Sequence, residues 1–242
     1  MSEENPDEIF DAVLMTVKYI VRESGIAKED IKFISLSAQM HSLIAMNADN
    51  QRLTENITWA DNRANDYADL IEKSYGGFEL YQRTGTPIHP MSPLSKIFWM
   101  RHEEPEIFKQ TAMFADLKTY VLFQLYERFV IDYSLGSATG MMNLEQLDWD
   151  HKALELLGIE KNQLPQLVPT THVLTGMKKR YATLMGIDEQ TPVIVGASDG
   201  VLSNLGVNSY QKGEVAVTIG TSGAIRTVIN QPKTDEKGRI FC

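Results

Sequence analysis

One carboxylate stands between glycines in the stretch VIVGASDGVLSNLG, where Asp199 follows Gly196 and precedes Gly200. An apolar run that ends in small residues and is followed by a second apolar stretch predicts a buried strand turning into a helix. A carboxylate at such a turn can take a proton from a hydroxyl as a general base. The alternative is that Asp199 only caps the following helix, and the spacing leaves both interpretations open.

The same stretch also matches G-x-S-x-G, the nucleophile elbow of α/β-hydrolases, with Ser198 as the nucleophile. In that fold the triad histidine follows the serine along the chain. Every histidine of this chain precedes Ser198: His41, His89, His102, His151 and His172. The order of residues within this chain therefore disfavours a hydrolase.

A second glycine turn lies in VAVTIGTSGAIRTV, where Gly220, Thr221, Ser222 and Gly223 separate two apolar strands. Small residues with free amides and hydroxyls suit a phosphate group. No lysine follows, so the turn is not a Walker A loop. A plain hairpin is the alternative, but two such turns in series favour a site that handles phosphate.

Polar and aromatic residues follow the predicted strand 31–38 and recur downstream. An indole offers an apolar face to sugar C–H groups, polar side chains bond hydroxyls, and a cation can neutralise a carboxylate. Such a set indicates a polyhydroxylated ligand, although Trp59 as a core residue and His41 as a turn residue remain alternatives. The candidates are Gln39, Met40, His41, Trp59, Asp61, Arg63, His89 and Lys96.

Composition limits the classes of function. The 242 residues carry a net charge of −9 and one cysteine, Cys242, which argues against nucleic-acid binding and against a disulfide framework. No secretory leader and no apolar run long enough to span a membrane are evident, so a cytoplasmic protein is expected. His102-Glu103-Glu104 does not continue as a zinc motif, so no protein-held metal is expected and a divalent ion would arrive with a nucleotide.

Periodicity and caps predict an α/β domain of mixed strands and helices. Helices are expected from Pro6 to Gly25, in RANDYADLIEKSYGG, PLSKIFWMRHEEPEIF, FADLKTYVLFQLYERF and KKRYATLMG, between Asp150 and Gly158, and from Gly200 to Gly206. Strands are expected at 31–38, on both sides of the turn at Asp49 and Asn50, in MMNLEQLDW, in TPVIVGA, and as a hairpin in EVAVTIGTSGAIRTVI. DYSLGSATG is expected to be a loop.

Six stretches together closely resemble the FGGY family of carbohydrate kinases, in order and through essentially the whole chain. They are SAQMHSLIA, ITWADNR, YQRTGTPIHPMSPLSK, DYSLGSATGMMNLEQLDWD, VIVGASDGVLSNLGV and GEVAVTIGTSGAIRTVI. The resemblance implies an actin-like, ribonuclease H-like fold with a mixed sheet flanked by helices. It also implies transfer of the γ-phosphate of Mg-ATP to a sugar hydroxyl. The wording of GTPIHPM and ASDGVLSNLGVN favours D-gluconate, phosphorylated at its 6-hydroxyl, over xylulose or glycerol.

The resemblance also implies roles for individual residues. Asp199 would be the general base, Met40 and His41 the sugar-contact pair, and Trp59 the aromatic beneath the sugar. Gly220, Thr221, Ser222 and Gly223 would contact the nucleotide phosphates, Thr221 above all. The remaining expected substrate contacts are Gln39, Asp61, Arg63, His89 and Ser198.

Two features of the family have no counterpart here: the first strand with its Gly-Thr-Thr turn and magnesium-binding Asp, and the adenosine-binding half. We therefore expect a fragment, with residues 1–212 forming most of the sugar-binding domain and 213–242 the opening hairpin of the nucleotide-binding domain. Alone it is expected to have little kinase activity. Alternatives are a xylulose or other sugar kinase, or a non-catalytic sugar-binding module. The expected partners are a sugar acid and ATP, and a homodimer stays open.

Overall fold

The computed structural model describes residues 1–220 and 223–242. Its α-helices are α1 Pro6–Ser24, α2 Asn65–Ser74, α3 Gly77–Thr84, α4 Pro93–Glu103, α5 Pro105–Gln110, α6 Leu117–Tyr126, α7 Tyr133–Ser137, α8 His151–Leu157, α9 Lys179–Met185 and α10 Asp199–Gly206. Its strands are β1 Glu3–Glu4, β2 Ile34–Ala38, β3 Ile44–Met46, β4 Asn56–Ile57, β5 Met113–Ala115, β6 Val130–Asp132, β7 Met142–Asn143, β8 Asp148–Trp149, β9 Gln166–Val168, β10 Val173–Leu174, β11 Val193–Ser198, β12 Val215–Ile219 and β13 Gly223–Thr227.

Strand β11 is the centre of a three-stranded sheet in the order β10-β11-β2. It runs antiparallel to β10 and parallel to β2, with Ala197 opposite Ser37 and Ser198 opposite Ala38. The carboxyl ends of two parallel strands lie at the same edge of a sheet. The residues after Ala38 and the residues after Ser198 therefore start from one place.

Gly196 makes this pairing possible. The register between β11 and β2 shifts between Ile194 and Ala197, and Gly196 lies there with a φ of 72°, in the left-handed region. A Cβ at this position would stand 1.9 Å from the carbonyl oxygen of Leu36. Only glycine fits this irregularity, because any side chain would collide with the backbone of the neighbouring strand.

The remaining strands form short pairs around this sheet. β3 pairs antiparallel with β5, β6 parallel with β9, β1 antiparallel with β4, β7 antiparallel with β8, and β12 antiparallel with β13. Two large apolar clusters fill the interior. One gathers around α4 and α8, and the other packs α1 and α9 against β11. Mixed strands and helices were expected, and the fold is α/β.

Local signals predicted several helices to within a residue or two. α1 begins after Asn5, whose side chain accepts a hydrogen bond from the amide of Asp7, and ends at Gly25 with a φ of 63°. α8 begins after Asp150 and ends at Gly158 in the same left-handed conformation. The strand at 31–38 is shorter than expected, while the hairpin at 215–227 and the helix at 179–185 are confirmed.

Three elements differ from expectation. The predicted loop DYSLGSATG contains helix α7, because Asp132 caps it by accepting from the amides of Ser134 and Leu135. The predicted single strand 141–149 is instead the hairpin β7–β8, which turns at Leu147 with a φ of 51°. The predicted helix in PLSKIFWMRHEEPEIF is divided into α4 and α5 at Glu104, since proline at 105 starts a new helix.

Burial also differs from the expected one-sided pattern. α4 and α6 were predicted to be amphipathic, but most of their side chains are buried on all sides. Each contains a buried lysine, Lys96 in α4 and Lys118 in α6. Helix α3 was not predicted. The helix predicted in FADLKTYVLFQLYERF begins later than expected, because Asp116 caps α6 at Leu117 and the two residues before it belong to strand β5.

The last residues pack against α3. The hydroxyl of Tyr81 donates to the carbonyl of Ile240 at 2.8 Å and accepts from the amide of Asp235 at 2.7 Å. The amide of Cys242 donates to the carbonyl of Gly85 at 2.9 Å. Among the helices in the described ranges, none has the length and apolarity that crossing a membrane requires.

We predict that Gly196→Ala lowers the free energy of unfolding by about 2 to 5 kcal/mol, from the left-handed backbone and the collision with Leu36. The measurement is urea denaturation followed by circular dichroism. Gly206→Ala is the matched control, because no atom lies within 4 Å of its added Cβ. Equal stability of the two variants would contradict the role assigned to Gly196.

Candidate active site

Asp199 is the first residue of α10 and its side chain is exposed. Within the described residues its carboxylate has one hydrogen bond, from the amide of Gly200 at 2.7 Å. The alternative that Asp199 caps the helix is wrong, because the capping side chain is Ser198, which accepts from the amide of Val201. The carboxylate is therefore open to a ligand at the edge of the sheet.

Ser198 does not have the geometry of a nucleophile elbow. It is fully buried, with 0% of its surface exposed, and its hydroxyl is engaged with the start of α10. An elbow needs an exposed hydroxyl at the top of the turn. For the same reason the expectation that Ser198 contacts substrate is corrected: its side chain holds the helix that carries Asp199.

A buried chain of polar groups holds the end of β11 from below. The amide of Ser198 donates to the hydroxyl of Ser134 at 2.8 Å, and that hydroxyl donates to the carboxylate of Asp132. The Nζ of Lys118 lies 2.6 Å from Asp132, and both side chains are at most 3% exposed. A charged pair thus anchors the turn before Asp199. No periodic pattern in the sequence predicted this pair.

His41 lies just after β2, at the same edge as Asp199. Its φ is 69°, and its Nδ1 is 2.9 Å from the carbonyl oxygen of Ala138, which requires that nitrogen to carry the proton. Burial lowers the pKa of His41 to about 4, so the ring is neutral at physiological pH. Its Nε2 is then an acceptor, suited to a substrate hydroxyl.

Met40 and Gly200 are brought together. A Cβ at Gly200 would lie 3.2 Å from the terminal methyl of Met40 and 3.2 Å from the Nε of Arg226. Gly200 therefore permits a close approach of Met40, which follows β2, and of Arg226 in β13 to the turn at Asp199. Arg226, in the second strand of the hairpin, was not predicted as a site residue.

Trp59 is 53% exposed, so the alternative that it belongs to the core is wrong. It follows Thr58, whose carbonyl accepts a hydrogen bond from the Nζ of Lys96 at 2.8 Å. The same ammonium donates to the carbonyl of His41 at 2.5 Å. Lys96 was a candidate for binding a ligand carboxylate, but it is fully buried and contacts backbone instead.

Asp61 and Arg63 are bonded to each other. Asp61 is buried and accepts from the Nε of Arg63 at 2.8 Å and from the amide of Ser2 at 2.5 Å. Burial raises the pKa of Asp61, but these hydrogen bonds outweigh it and hold the pKa well below its usual range. Arg63 also contacts Glu3 and lies over the ring of Trp99. This arrangement fixes the N-terminal strand and does not favour a direct contact with substrate.

The other expected contacts are dispersed. The side-chain amide of Gln39 donates to the carboxylate of Glu4 at 3.4 Å. His89 is exposed, and its Nδ1 accepts from the backbone amide of Met91 at 3.2 Å. Of the expected phosphate turn, Gly220 follows β12 and Gly223 is the first residue of β13. Thr221 and Ser222 lie outside the described residues.

No group of three or more histidine, cysteine, aspartate or glutamate side chains is placed to hold a metal ion in residues 1–220 and 223–242. A lone exposed carboxylate does not make a magnesium site by itself, because magnesium takes octahedral oxygen coordination. The described residues therefore do not fit a resident magnesium ion.

The fold and this edge define an α/β domain in which Met40, His41 and Asp199 follow two parallel strands, while the exposed Trp59 follows β4. Residues 1–206 match the model for the N-terminal domain of the FGGY family of carbohydrate kinases. Gluconokinase of Bacillus subtilis (strain 168) is 54% identical over 241 residues, which cover 100% of this chain and 47% of that protein. The chain belongs to the FGGY family of carbohydrate kinases, and its fold is the actin-like ATPase fold of that family.

Two solved structures are similar throughout. Gluconate kinase from Lactobacillus acidophilus has a TM-score of 0.95 and 40% identity, covering 99% of this chain and 48% of that one. Ligand-bound xylulose kinase from the same organism has a TM-score of 0.93 and 39% identity, covering 99% and 48%. The chain thus spans about half the length of the relatives it matches.

We predict that Lys118→Met destabilises the fold by about 3 to 5 kcal/mol, because it leaves the carboxylate of Asp132 buried without its cation. Lys152→Met is the matched control: its pair with Glu155 is exposed, and loss of such a pair costs at most about 1 kcal/mol. Urea denaturation at neutral pH measures both. Similar midpoints for the two variants would contradict the anchoring role of Lys118.

Proposed function

We propose that this chain forms the sugar-binding part of an ATP-dependent kinase acting on D-gluconate, with Asp199 as the general base. The observation that carries the proposal is the exposed carboxylate of Asp199, which among the described residues is bonded only by the amide of Gly200, at the sheet edge shared with Met40 and His41. Family membership supports the reaction class, and the 54% identity to a gluconokinase supports the substrate.

In the proposed reaction, Asp199 accepts the proton of the 6-hydroxyl while that oxygen bonds to the γ-phosphorus of ATP. The bond from the γ-phosphorus to the bridging oxygen breaks, and ADP leaves with the electron pair. The products are 6-phosphogluconate and ADP. Positioning and charge neutralisation supply most of the catalysis in phosphoryl transfer, and a base adds on the order of 10²–10⁴ in rate. Magnesium bound to the nucleotide would neutralise phosphate charge.

Two residues form the sugar-binding part of the proposed site: one offers an apolar surface and the other a hydrogen-bond acceptor. The exposed indole of Trp59 offers a flat apolar face to C–H groups, and the neutral His41 offers an acceptor at Nε2. Together they bind a polyhydroxylated chain without contributing a net charge. Met40, beside the turn at Gly200, completes the contact near the reacting hydroxyl.

The domain division is part of the same proposal: residues 1–212 belong to the sugar-binding domain and 213–242 open the nucleotide-binding domain. The hairpin β12–β13 supports it. Val217, Ile219 and Ile225 are 59%, 86% and 77% exposed, and a two-stranded hairpin with such a surface is marginal unless further structure covers it. In this proposal the turn from Gly220 to Gly223 contacts the phosphates of ATP.

A xylulose kinase is the second candidate, since the ligand-bound xylulose kinase is almost as similar in structure as the gluconate kinase. Sequence identity separates the two candidate functions more clearly. Xylulose kinase of Bacillus subtilis (strain 168) is 28% identical to this chain, whereas gluconokinase of the same organism is 54% identical. This difference favours gluconate.

We predict that calorimetric titration of the 242-residue chain shows binding of D-gluconate that is at least about tenfold tighter than binding of D-xylulose or glycerol, a difference of about 1.4 kcal/mol. Because Asp199 acts on the proton rather than holding the sugar, Asp199→Asn should change this affinity less than about threefold. Tighter binding of xylulose would reverse the substrate assignment, and no sugar binding at all would refute the proposed function.

We further predict which of two neighbouring variants loses more activity in an ADP-release assay of the full-length gene product with ATP and gluconate. Asp199→Asn should lower kcat by roughly 10²–10⁴-fold through loss of the base. Ser198→Ala should remain active and lose about 1 kcal/mol of stability with the helix cap. The reverse order would indicate a serine nucleophile. The 242-residue chain alone should show little turnover.

A further inference from the structure

Lys96 is a fully buried cation whose hydrogen bonds all go to backbone. It lies on α4 with 0% of its surface exposed. Its Nζ donates to the carbonyl oxygens of His41 at 2.5 Å, Thr58 at 2.8 Å and Ile57 at 3.3 Å. An ammonium has three donors and no acceptor. Three carbonyls therefore use its full capacity.

Burying this ammonium costs free energy, because among the described side chains no carboxylate forms a salt bridge with Lys96. Lys118, by contrast, forms a salt bridge with Asp132. Burial is the main cause that lowers the pKa of Lys96, to about 7, with Asp61 acting in the opposite direction and Arg63 in the same direction. A core of this size could accommodate an apolar side chain at this position. The lysine must therefore supply something that an apolar residue does not.

The three carbonyls belong to two segments that are paired at one point, the antiparallel bridge between Leu43 and Ile57. One segment continues from this bridge to the turn at His41, which has the left-handed φ of 69°. The other continues from β4 through Thr58 into the exposed Trp59. Among the described residues, Lys96 joins the two segments beyond the bridge, because its ammonium contacts the carbonyls of both His41 and Thr58.

We propose that Lys96 is a positioning residue for the sugar site: it ties the backbone of His41 to that of Thr58, so that the imidazole and the indole face one ligand. Lys96 itself is buried beneath the two segments and does not touch the sugar. The inference rests on the proposed gluconate site and gives Lys96 a role there other than the direct contact with a ligand carboxylate that its sequence position suggested.

The first arm of the test compares two destabilised variants for gluconate affinity. Lys96→Met keeps the length of the side chain and removes the donors. Met185→Ala opens a cavity in α9, within the apolar cluster that contains neither segment, and destabilises the fold. Calorimetry should show gluconate binding at least about tenfold weaker in Lys96→Met and within about twofold of wild type in Met185→Ala.

Fluorescence adds a readout of geometry in the same arm. The emission change that gluconate causes in the wild-type chain is assigned to the indole at 59 with Trp59→Phe. That change should be lost or reduced in Lys96→Met at saturating gluconate, and kept in Met185→Ala. Circular dichroism confirms that both variants are folded under the conditions used.

The second arm uses the wild-type chain, so it stands even where Lys96→Met does not fold. The titratable groups facing Lys96 are Asp61, Arg63 and His41. The pKa of Asp61 is lowered, that of Arg63 raised and that of His41 about 4, so of this group Lys96 alone titrates between about pH 6 and pH 9. A neutral amine has two donors for three carbonyls, and gluconate affinity should fall several-fold as the pH rises through this range.

The free energy of unfolding should rise with pH, whereas gluconate affinity should fall. The folded pKa of Lys96 is below its ordinary value of 10.5, so above about pH 7 the unfolded chain binds more protons than the folded chain and the Lys96 contribution to the free energy of unfolding rises with pH. Urea denaturation at each pH measures it. A lysine with only a structural role would show this rise with constant affinity.

The outcomes separate the two proposals. Wild-type affinity in a folded Lys96→Met variant, or an affinity that does not change with pH, would overturn the role of Lys96 and leave gluconate binding intact. Absence of sugar binding by the wild-type chain would instead refute the proposed function, and with it the positioning role. Weakened binding in Lys96→Met together with the opposite pH trends would support the proposal.

Discussion

The parallel pairing of β2 with β11 is the constraint on which the candidate site depends. It aligns Ala38 with Ser198, so the chain leaves both strands at one edge, toward His41 in one case and Asp199 in the other. The pairing requires an irregularity at Gly196, where the backbone of Leu36 occupies the place of a side chain. An added Cβ at position 196 would therefore disturb the strand pairing that brings the residues after β2 and the residues after β11 together.

Two buried lysines hold backbone segments next to this sheet, and they do so in two different ways. Lys118 is paired with Asp132, and through Ser134 this pair holds the amide of Ser198. Lys96 is surrounded by carbonyl dipoles and holds the turns on either side of the sugar site. A buried ion pair contributes little net stability compared with apolar packing, but breaking it is costly. Both lysines are thus better explained by the geometry that they enforce than by the free energy that they add.

The sequence predicted those features that depend on local chemistry. The caps at Asn5 and Asp150 and the glycines after α1 and α8 are short-range signals, and they gave the helix ends correctly. The candidates Asp199 and His41 were selected because residues after apolar strands lie at a sheet edge, and the structure places both after paired parallel strands. The roles of their neighbours were not predictable. Ser198 as a cap and Asp61 with Arg63 as an internal pair are local contacts, but the same residue types also suit a ligand site. The position of Lys96 beneath the surface depends on partners distant in sequence. Asp132 caps α7 by a local signal, but five residues are too few for a helical period to be visible.

The exposure of Asp199 separates binding from catalysis in this chain. In the proposed site, His41 and Trp59 are held by the hydrogen bond to Ala138 and through Lys96, so the proposed sugar contacts do not depend on the nucleotide. The carboxylate, by contrast, lies in water, where electrostatic effects on a phosphoryl group are weak compared with those in a closed site. In the proposed reaction, efficient transfer would require that ligand and nucleotide displace the water beside Asp199, where Arg226 of the hairpin lies close to Gly200. Under this proposal, sugar affinity tests His41 and Trp59 more directly than turnover does.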